Sequence, residues 1–378
     1  MIPFNKPSIV GNELEYIQDA VKRGKISGDG YYTNLCNDFF REKFSFSNPL
    51  LTTSCTSALE MTALLMDIKE GDEIIAPSYT FVSTVNAYIL QGAKVVFIDS
   101  MENDPNMDVS LIEKLITPKT KAIIAVHYAG ISVDMDYLVE LCKKHNLYLV
   151  EDCAQAIDSF YKGKRLGTFG QFSAFSFHET KNIICGEGGL LVVNDDKFAD
   201  RAEIIREKGT NRSLFFRGEI DKYGWVDKGS SYLPSDLLAA YLFAQLENID
   251  KIQSKRKYLW NLYYRELKEL YDLKYIQLPI IPEDNVNNAH MFYIVLPDLQ
   301  TRTNLIKYLK EKGIYAVFHY QSLHRSEYMV KNNFSEEVLI NSDRFSDCLL
   351  RLPLFYELTE EDVLYIAKEI KLFFNGKI

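Results

Sequence analysis

From about residue 48, short apolar runs alternate with amphipathic segments, and this alternation restricts the chain to few folds. Pro49–Thr53, Glu73–Ala76, Lys94–Asp99, Lys121–His127 and Leu147–Asp152 read as strands. Thr56–Met66, Phe81–Gln91 and Met135–Lys144 lie between them and read as helices. Strands joined through helices run parallel, so the expected fold class is α/β: a mostly parallel sheet with helices on both faces. In such sheets ligands bind beyond the carboxyl ends of the strands. After Phe172–Phe177 and Leu190–Asn194 the pattern changes. Ser235–Leu270 reads as one long helical region, followed by strand Met291–Leu296, helix Thr303–Lys312, strand Ala316–Tyr320 and helix Glu360–Phe374. The 378 residues exceed what one hydrophobic core usually supports. Residues 1–245 are therefore expected to form a large domain, and residues 246–378 a smaller α+β domain.

The formal net charge of −9 argues against nucleic acid as a partner, because a phosphate backbone needs a basic surface. A single small anion is still within reach of helix N-termini and a few cations. The six cysteines form no CxxC pair, and no cysteine or histidine cluster has zinc-ligand spacing, so no metal is expected. The opening Met1-Ile-Pro-Phe-Asn-Lys has no basic region leading into an apolar run, and no uncharged apolar stretch of about 18 residues is present. A reduced, cytoplasmic setting without membrane contact is the expectation.

Two residues suggest a chemistry. Asp152 ends an apolar strand, where a carboxylate points into the expected cleft. Such a carboxylate can hold a pyridine nitrogen protonated, as the cofactor pyridoxal 5′-phosphate (PLP) requires. A helix N-cap is the competing role for this aspartate. Lys181 stands in a polar turn after an apolar strand, with Gly186-Glu-Gly-Gly189 following. A PLP enzyme needs a lysine able to lose its proton, attack an aldehyde and move a Cα proton. A solvated surface lysine is the alternative. Thr53-Ser-Cys-Thr-Ser57 joins a strand to a helix N-terminus, an anion site in waiting or a plain helix cap. Ser176 is a second hydroxyl donor, and Phe81 is either a ring-stacking aromatic or part of the core. Of the histidines, His127 ends a strand at the cleft, His145 reads as a surface residue, and His290 as packing or site.

Taken in order, Ser27-Gly-Asp-Gly30, Asp152-Cys-Ala-Gln155, the Ser-Phe-His-x-x-Lys segment ending at Lys181 and His319-Tyr-Gln-Ser-Leu-His324 resemble the sugar aminotransferases of the DegT/DnrJ/StrS family. The likeness runs over almost the whole chain and implies PLP-dependent fold type I architecture. By this resemblance Lys181 carries the cofactor and is the catalytic residue. Asp152 binds its pyridinium, and Gln155 sits near the ring or its O3′. Cys55, Thr56 and Ser176 hold the phosphate, and Phe81 stacks on the ring. The family reaches across a dimer interface to that phosphate with an asparagine, whose place Ser231 takes here. Arg212, His319, Tyr320 and His324 are the implied substrate contacts, and the Arg206–Arg217 segment is suited to a diphosphate.

Within the family, Pro77-Ser-Tyr-Thr-Phe-Val-Ser-Thr, Arg206-Glu-Lys-Gly-Thr-Asn-Arg-Ser213 and Arg351-Leu-Pro-Leu-Phe-Tyr356 resemble the dTDP-4-amino-4,6-dideoxygalactose transaminases. That branch implies glutamate as donor, dTDP-4-keto-6-deoxyglucose as acceptor, a homodimer with shared sites, and a product used for surface polysaccharide or lipopolysaccharide. A 3-aminotransferase, or one acting on another nucleotide-keto-sugar, is the alternative within the fold. A PLP-dependent dehydratase would carry histidine in place of Lys181. A non-catalytic PLP-binding regulator is the alternative of another class.

Overall fold

The structure is a computed structural model and describes residues 1–332 and 338–375. Its strands are β1 (Asn48–Thr52), β2 (Glu73–Pro77), β3 (Lys94–Ile98), β4 (Thr120–Val126), β5 (Tyr148–Asp152), β6 (Phe160–Tyr161), β7 (Lys164–Arg165), β8 (Phe172–Ser176), β9 (Gly189–Val193), β10 (Asn285–Val286), β11 (Phe292–Val295), β12 (Val317–Phe318) and β13 (Leu349–Leu352). Its α-helices are α1 (Glu13–Lys22), α2 (Tyr31–Phe44), α3 (Cys55–Leu65), α4 (Ser83–Ile89), α5 (Met135–His145), α6 (Ala199–Arg206), α7 (Arg212–Phe216), α8 (Asp236–Glu247), α9 (Ile249–Asp272), α10 (Leu299–Glu311), α11 (Glu327–Lys331), α12 (Ile340–Cys348) and α13 (Glu360–Asn375).

Seven strands form the main sheet in the order β1-β9-β8-β5-β4-β2-β3. Pairings β2–β3, β2–β4, β4–β5 and β5–β8 are parallel, and only β9 runs against its neighbours. Both faces are covered, which is why its strands are apolar throughout rather than alternating. Phe40 of α2, Leu138 of α5 and Ala239 of α8 pack on one face, and Ala58 of α3, Val85 of α4 and Ala202 of α6 on the other. The parallel strands β2, β4, β5 and β8 end on one edge, which leaves Asp152 and Ser176 there with the start of α3.

A second core gathers Leu259, Tyr263 and Leu267 of α9 with Phe292, Leu305, Leu350, Val363 and Ile366. It surrounds a small sheet ordered β11-β13-β12. Residue 245, the expected boundary, falls in the last turn of α8. The long helical region expected over 235–270 consists of two helices that meet at Asn248, which ends α8 and begins α9. Ile2 belongs to the second core and bridges to Ile314, so the first residues return to the smaller unit. α10 begins four residues before the expected Thr303 because Asp298 caps it, its carboxylate accepting from Thr301 N at 2.7 Å. Among the described residues no helix is long and apolar enough to cross a membrane.

Candidate active site

A cavity of about 500 Å³ opens at the carboxyl edge of the main sheet, in the size range of small-ligand sites. Cys55, Thr56, Phe81, Asp152, Gln155, Ser176, Lys181, His319 and Tyr320 all line it, nine residues expected from the sequence. Phe4, Thr84 and Arg351 line it too and were not anticipated in that role.

Asp152 is buried at the end of β5. Its Oδ2 accepts a hydrogen bond from Thr84 Oγ1 at 2.7 Å, and its Oδ1 accepts from Ala154 N at 3.1 Å. Burial raises its pKa, while those two bonds and the nearby Lys181 pull the other way. The carboxylate is thus fixed yet left wanting a cationic partner. Beside it, Glu151 points to the opposite face of the strand. Glu151 Oε1 accepts from Phe169 N at 2.7 Å and Gly170 N at 2.9 Å, and its Oε2 accepts from Gly167 N at 2.8 Å and lies 3.2 Å from His127 Nε2. His127, Glu151 and Cys153 bring potential ligand atoms within 4.8 Å of one another. Both Glu151 oxygens are already engaged by backbone N–H groups, so this trio is a buttress under β5.

Lys181 sits in the turn after β8. Desolvation lowers its pKa to about 8, the nearby Arg351 cation adds to the shift, and Asp152 opposes it. Its neighbour Asn182 locks the turn to the smaller unit: Asn182 Nδ2 donates to Gln253 Oε1 and to Asn288 O, each at 2.8 Å. Asn182 Oδ1 meets His290 Nδ1 at 2.9 Å, which makes His290 a packing and positioning residue.

The start of α3 makes an anion cradle. Ser54 caps it, its Oγ accepting from Ser57 N at 3.0 Å, and the first-turn N–H groups at Cys55 and Thr56 have no intrahelical acceptor. Ser176 Oγ ends β8 on the same cavity. Phe81 is 54% exposed and 5.9 Å, centroid to centroid, from Tyr320, an apolar face turned to the cavity rather than to the core. Gln155 Oε1 accepts from Ala129 N at 2.7 Å and its Nε2 donates to Tyr320 Oη at 3.1 Å, so both ends of the amide are fixed.

These features fit PLP on the structure's own terms. A carboxylate suits a pyridinium, a helix N-terminus with a nearby hydroxyl suits a phosphate, and an aromatic face lines the same cavity as a lysine of depressed pKa.

Three expected residues lie elsewhere. His324 is buried outside the cavity, its Nδ1 2.7 Å from Ser78 Oγ and its Nε2 3.7 Å from Asp343. It fastens the 322–325 turn to the segment just after β2. Ser231 and Arg212 line a second hollow of about 860 Å³, with Lys25, Arg206, Lys208 and Arg217. Within one chain neither reaches the cavity of Lys181.

A family description decides the reading. The DegT/DnrJ/EryC1/StrS aminotransferase family matches residues 7–371. The chain belongs to that family.

The aminotransferase is 33% identical to GDP-perosamine synthase of Escherichia coli O157:H7, over 100% of this chain and 99% of the relative. Its fold superposes on PseC of Helicobacter pylori, an aminotransferase involved in the biosynthesis of pseudoaminic acid, with a TM-score of 0.88 at 26% identity and 99% coverage of both chains. It also superposes on the PLP form of Spr1654 of Streptococcus pneumoniae, with a TM-score of 0.92 at 25% identity, covering 100% of this chain and 99% of that one. The protein is a PLP-dependent sugar aminotransferase of fold type I. An enzyme of this kind replaces the non-catalytic regulator among the readings open at the sequence level.

Proposed function

We propose that the enzyme moves an amino group from glutamate to C4 of a nucleotide-linked 4-keto-6-deoxyhexose. The observation that carries this reading is the single cavity where Lys181, Asp152 and the α3 N-terminus meet. Bound there, PLP supplies an electron sink for the carbon that gains or loses a proton. Lys181 Nζ would hold the cofactor at its aldehyde carbon, and as a free amine it would move the proton at the reacting carbon. A pKa near 8 suits that exchange at neutral pH. Asp152 holds the pyridine nitrogen in its protonated form, and Thr84 orients that carboxylate. Cys55, Thr56 and Ser176 hold the phosphate, Phe81 covers one ring face, and Gln155 is set by Ala129 and Tyr320 to meet the ring.

The second hollow supports a role at a subunit boundary. Its cations Lys208, Arg212 and Arg217, now ion-paired with Glu207 or Glu203, would have to exchange those acids for a diphosphate, and exposed Ser231 lies among them. A homodimer in which each subunit lends this hollow to its partner's cavity would bring Ser231 to the cofactor phosphate. The two resemblances suggest different nucleotides: motif likeness favours a dTDP sugar, and the relative GDP-perosamine synthase favours a GDP sugar.

The test mixes purified protein with PLP, glutamate and either dTDP-4-keto-6-deoxyglucose or a GDP-linked 4-keto-6-deoxyhexose, and follows absorbance and products. Formation of an amino-sugar nucleotide with 2-oxoglutarate supports the reading, and NMR of the product identifies the carbon aminated and its configuration. A spectral change with glutamate that neither sugar reverses overturns the acceptor.

A further inference from the structure

The start of the chain crosses from the smaller unit to the larger one. Ile2 lies in the core of the smaller unit, where its N donates to Gly313 O at 2.7 Å and its O accepts from Tyr315 N at 3.0 Å. Three residues on, Asn5 Nδ2 donates to Glu179 O at 3.0 Å. Glu179 belongs to the turn that carries Lys181. That turn is braced by bonds from Glu179 N to Gly186 O at 3.0 Å and from Lys181 N to His178 O at 2.9 Å. Between the two anchors, the half-buried Phe4 lines the same cavity as Lys181. Its ring centre stands 4.9 Å from the Arg351 guanidinium carbon, a cation–π distance that favours one setting of the ring.

The segment is held by its ends. Pro3 and Pro7 lack an N–H, and they bias themselves and the residues before them toward extended backbone. Among the described residues, the backbone from Pro3 to Pro7 makes no hydrogen bond to other backbone. Lys6 forms an ion pair with Glu357, but both side chains are exposed, and such pairs contribute little. A segment with few buried contacts and no hydrogen-bond ladder opens at low cost. At the Lys181 turn, the Asn5 bond opposes that opening.

We propose that residues 2–6 are a strap over the cofactor cavity, hinged at Ile2 and latched to the Lys181 turn by Asn5, with Phe4 as the wall residue that keeps water from Lys181 Nζ. Closing such a site expels water and suppresses hydrolysis of what is held there. Release of the latch carries the Phe4 ring away while the Ile2 anchor stays, so entry needs no separation of the two units. This inference rests on the PLP-dependent reading and adds the group that controls solvent entry. The identity of the sugar plays no part in it.

The experiment measures that entry in the holoprotein. Borohydride reduces the link between PLP and Lys181 to a fluorescent secondary amine, and acrylamide quenching of its emission reports access. Stripping of PLP from unreduced holoprotein by hydroxylamine, followed by absorbance, reports access by a small nucleophile. Wild type is compared with Phe4→Ala, Phe4→Leu, Asn5→Asp and Lys6→Ala. Asn5→Asp puts an acceptor against Glu179 O, and both rates should rise about three- to tenfold, the range for losing one hydrogen bond. Phe4→Ala should raise them at least as much, and Phe4→Leu less, because it keeps an apolar wall. Lys6→Ala should change them less than about twofold. Unchanged access in Phe4→Ala, or a rise there that Asn5→Asp does not share, would overturn the proposal. So would access that rises only in step with a fall in melting temperature. If the protein holds no PLP, the cofactor reading fails, and the strap is tested by the acetylation rate of Lys181 in the apoprotein, which should rise in the same order of variants.

Discussion

The hydroxyl of Thr84 donates to Asp152 Oδ2 at 2.7 Å, tying α4 to the end of β5 beneath the cavity. Thr84 also lies 2.9 Å from Thr80 Oγ1, so its hydroxyl has a defined direction. Without that bond, burial would push the Asp152 pKa up further. Thr84→Val keeps the shape and removes the donor. PLP affinity, measured by titration of the apoprotein, should fall about tenfold, consistent with one hydrogen bond to a charged group.

Lys181 should set a pH profile. Below about pH 8 its amine is protonated and has no lone pair, and above it the amine is neutral. The rate at which apoprotein takes up PLP should therefore rise as pH increases through about 8 and then level off. An ordinary lysine, with a pKa of 10.5, would place that rise more than two pH units higher. Lys181→Ala should abolish the profile. Arg351→Gln removes a like charge and should move the midpoint upward.

Gly189 begins β9 against the cofactor end of α3. A Cβ there would lie 2.3 Å from Ser54 C and 2.5 Å from Cys55 N, and backbone on both sides leaves little room to yield. Gly189→Ala should displace the first turn of α3. Thermal melting should show a loss of about 1–3 kcal/mol, typical of overpacking, with PLP affinity reduced as well.

Glu151 organises the 167–170 turn through three backbone N–H groups. Glu151→Gln would aim an amide N–H at other N–H donors in a buried site. Urea unfolding should show a loss of about 3 kcal/mol. Holoenzyme activity measured under stabilising conditions should change much less, because Glu151 faces away from the cavity.

Much of the candidate site was legible because it consists of strand ends and helix starts. Asp152, Ser176 and Cys55 could be found by reading where an apolar run stops, since parallel strands stop on one edge. Lys181 was legible from its turn and the glycines after it. Thr84 was not: it is an ordinary helix residue, and only the packing of α4 against β5 gives it Asp152 as a partner. β13 was missed because Leu349-Leu-Arg-Leu352 is a short run interrupted by a charge, and Arg351 was missed with it as a cavity residue. His324 was drawn into the site by its motif, yet its ring turns to Ser78 and Asp343.

The sequence by itself determined the alternation of strands and helices from β1 to β5, the class of sheet, and the chemistry of the residues at the strand ends. Hydrophobic periodicity and turn residues are local properties, so they can be read one segment at a time. Tertiary structure alone decided which distant groups share the cavity: Phe4 from the first residues, Thr84 from α4, Asp152 from β5 and Arg351 from β13. It also decided their ionisation. The Lys181 pKa near 8 comes from desolvation and from Arg351, 170 positions further along the chain, and neither influence exists until the two units close over the same space.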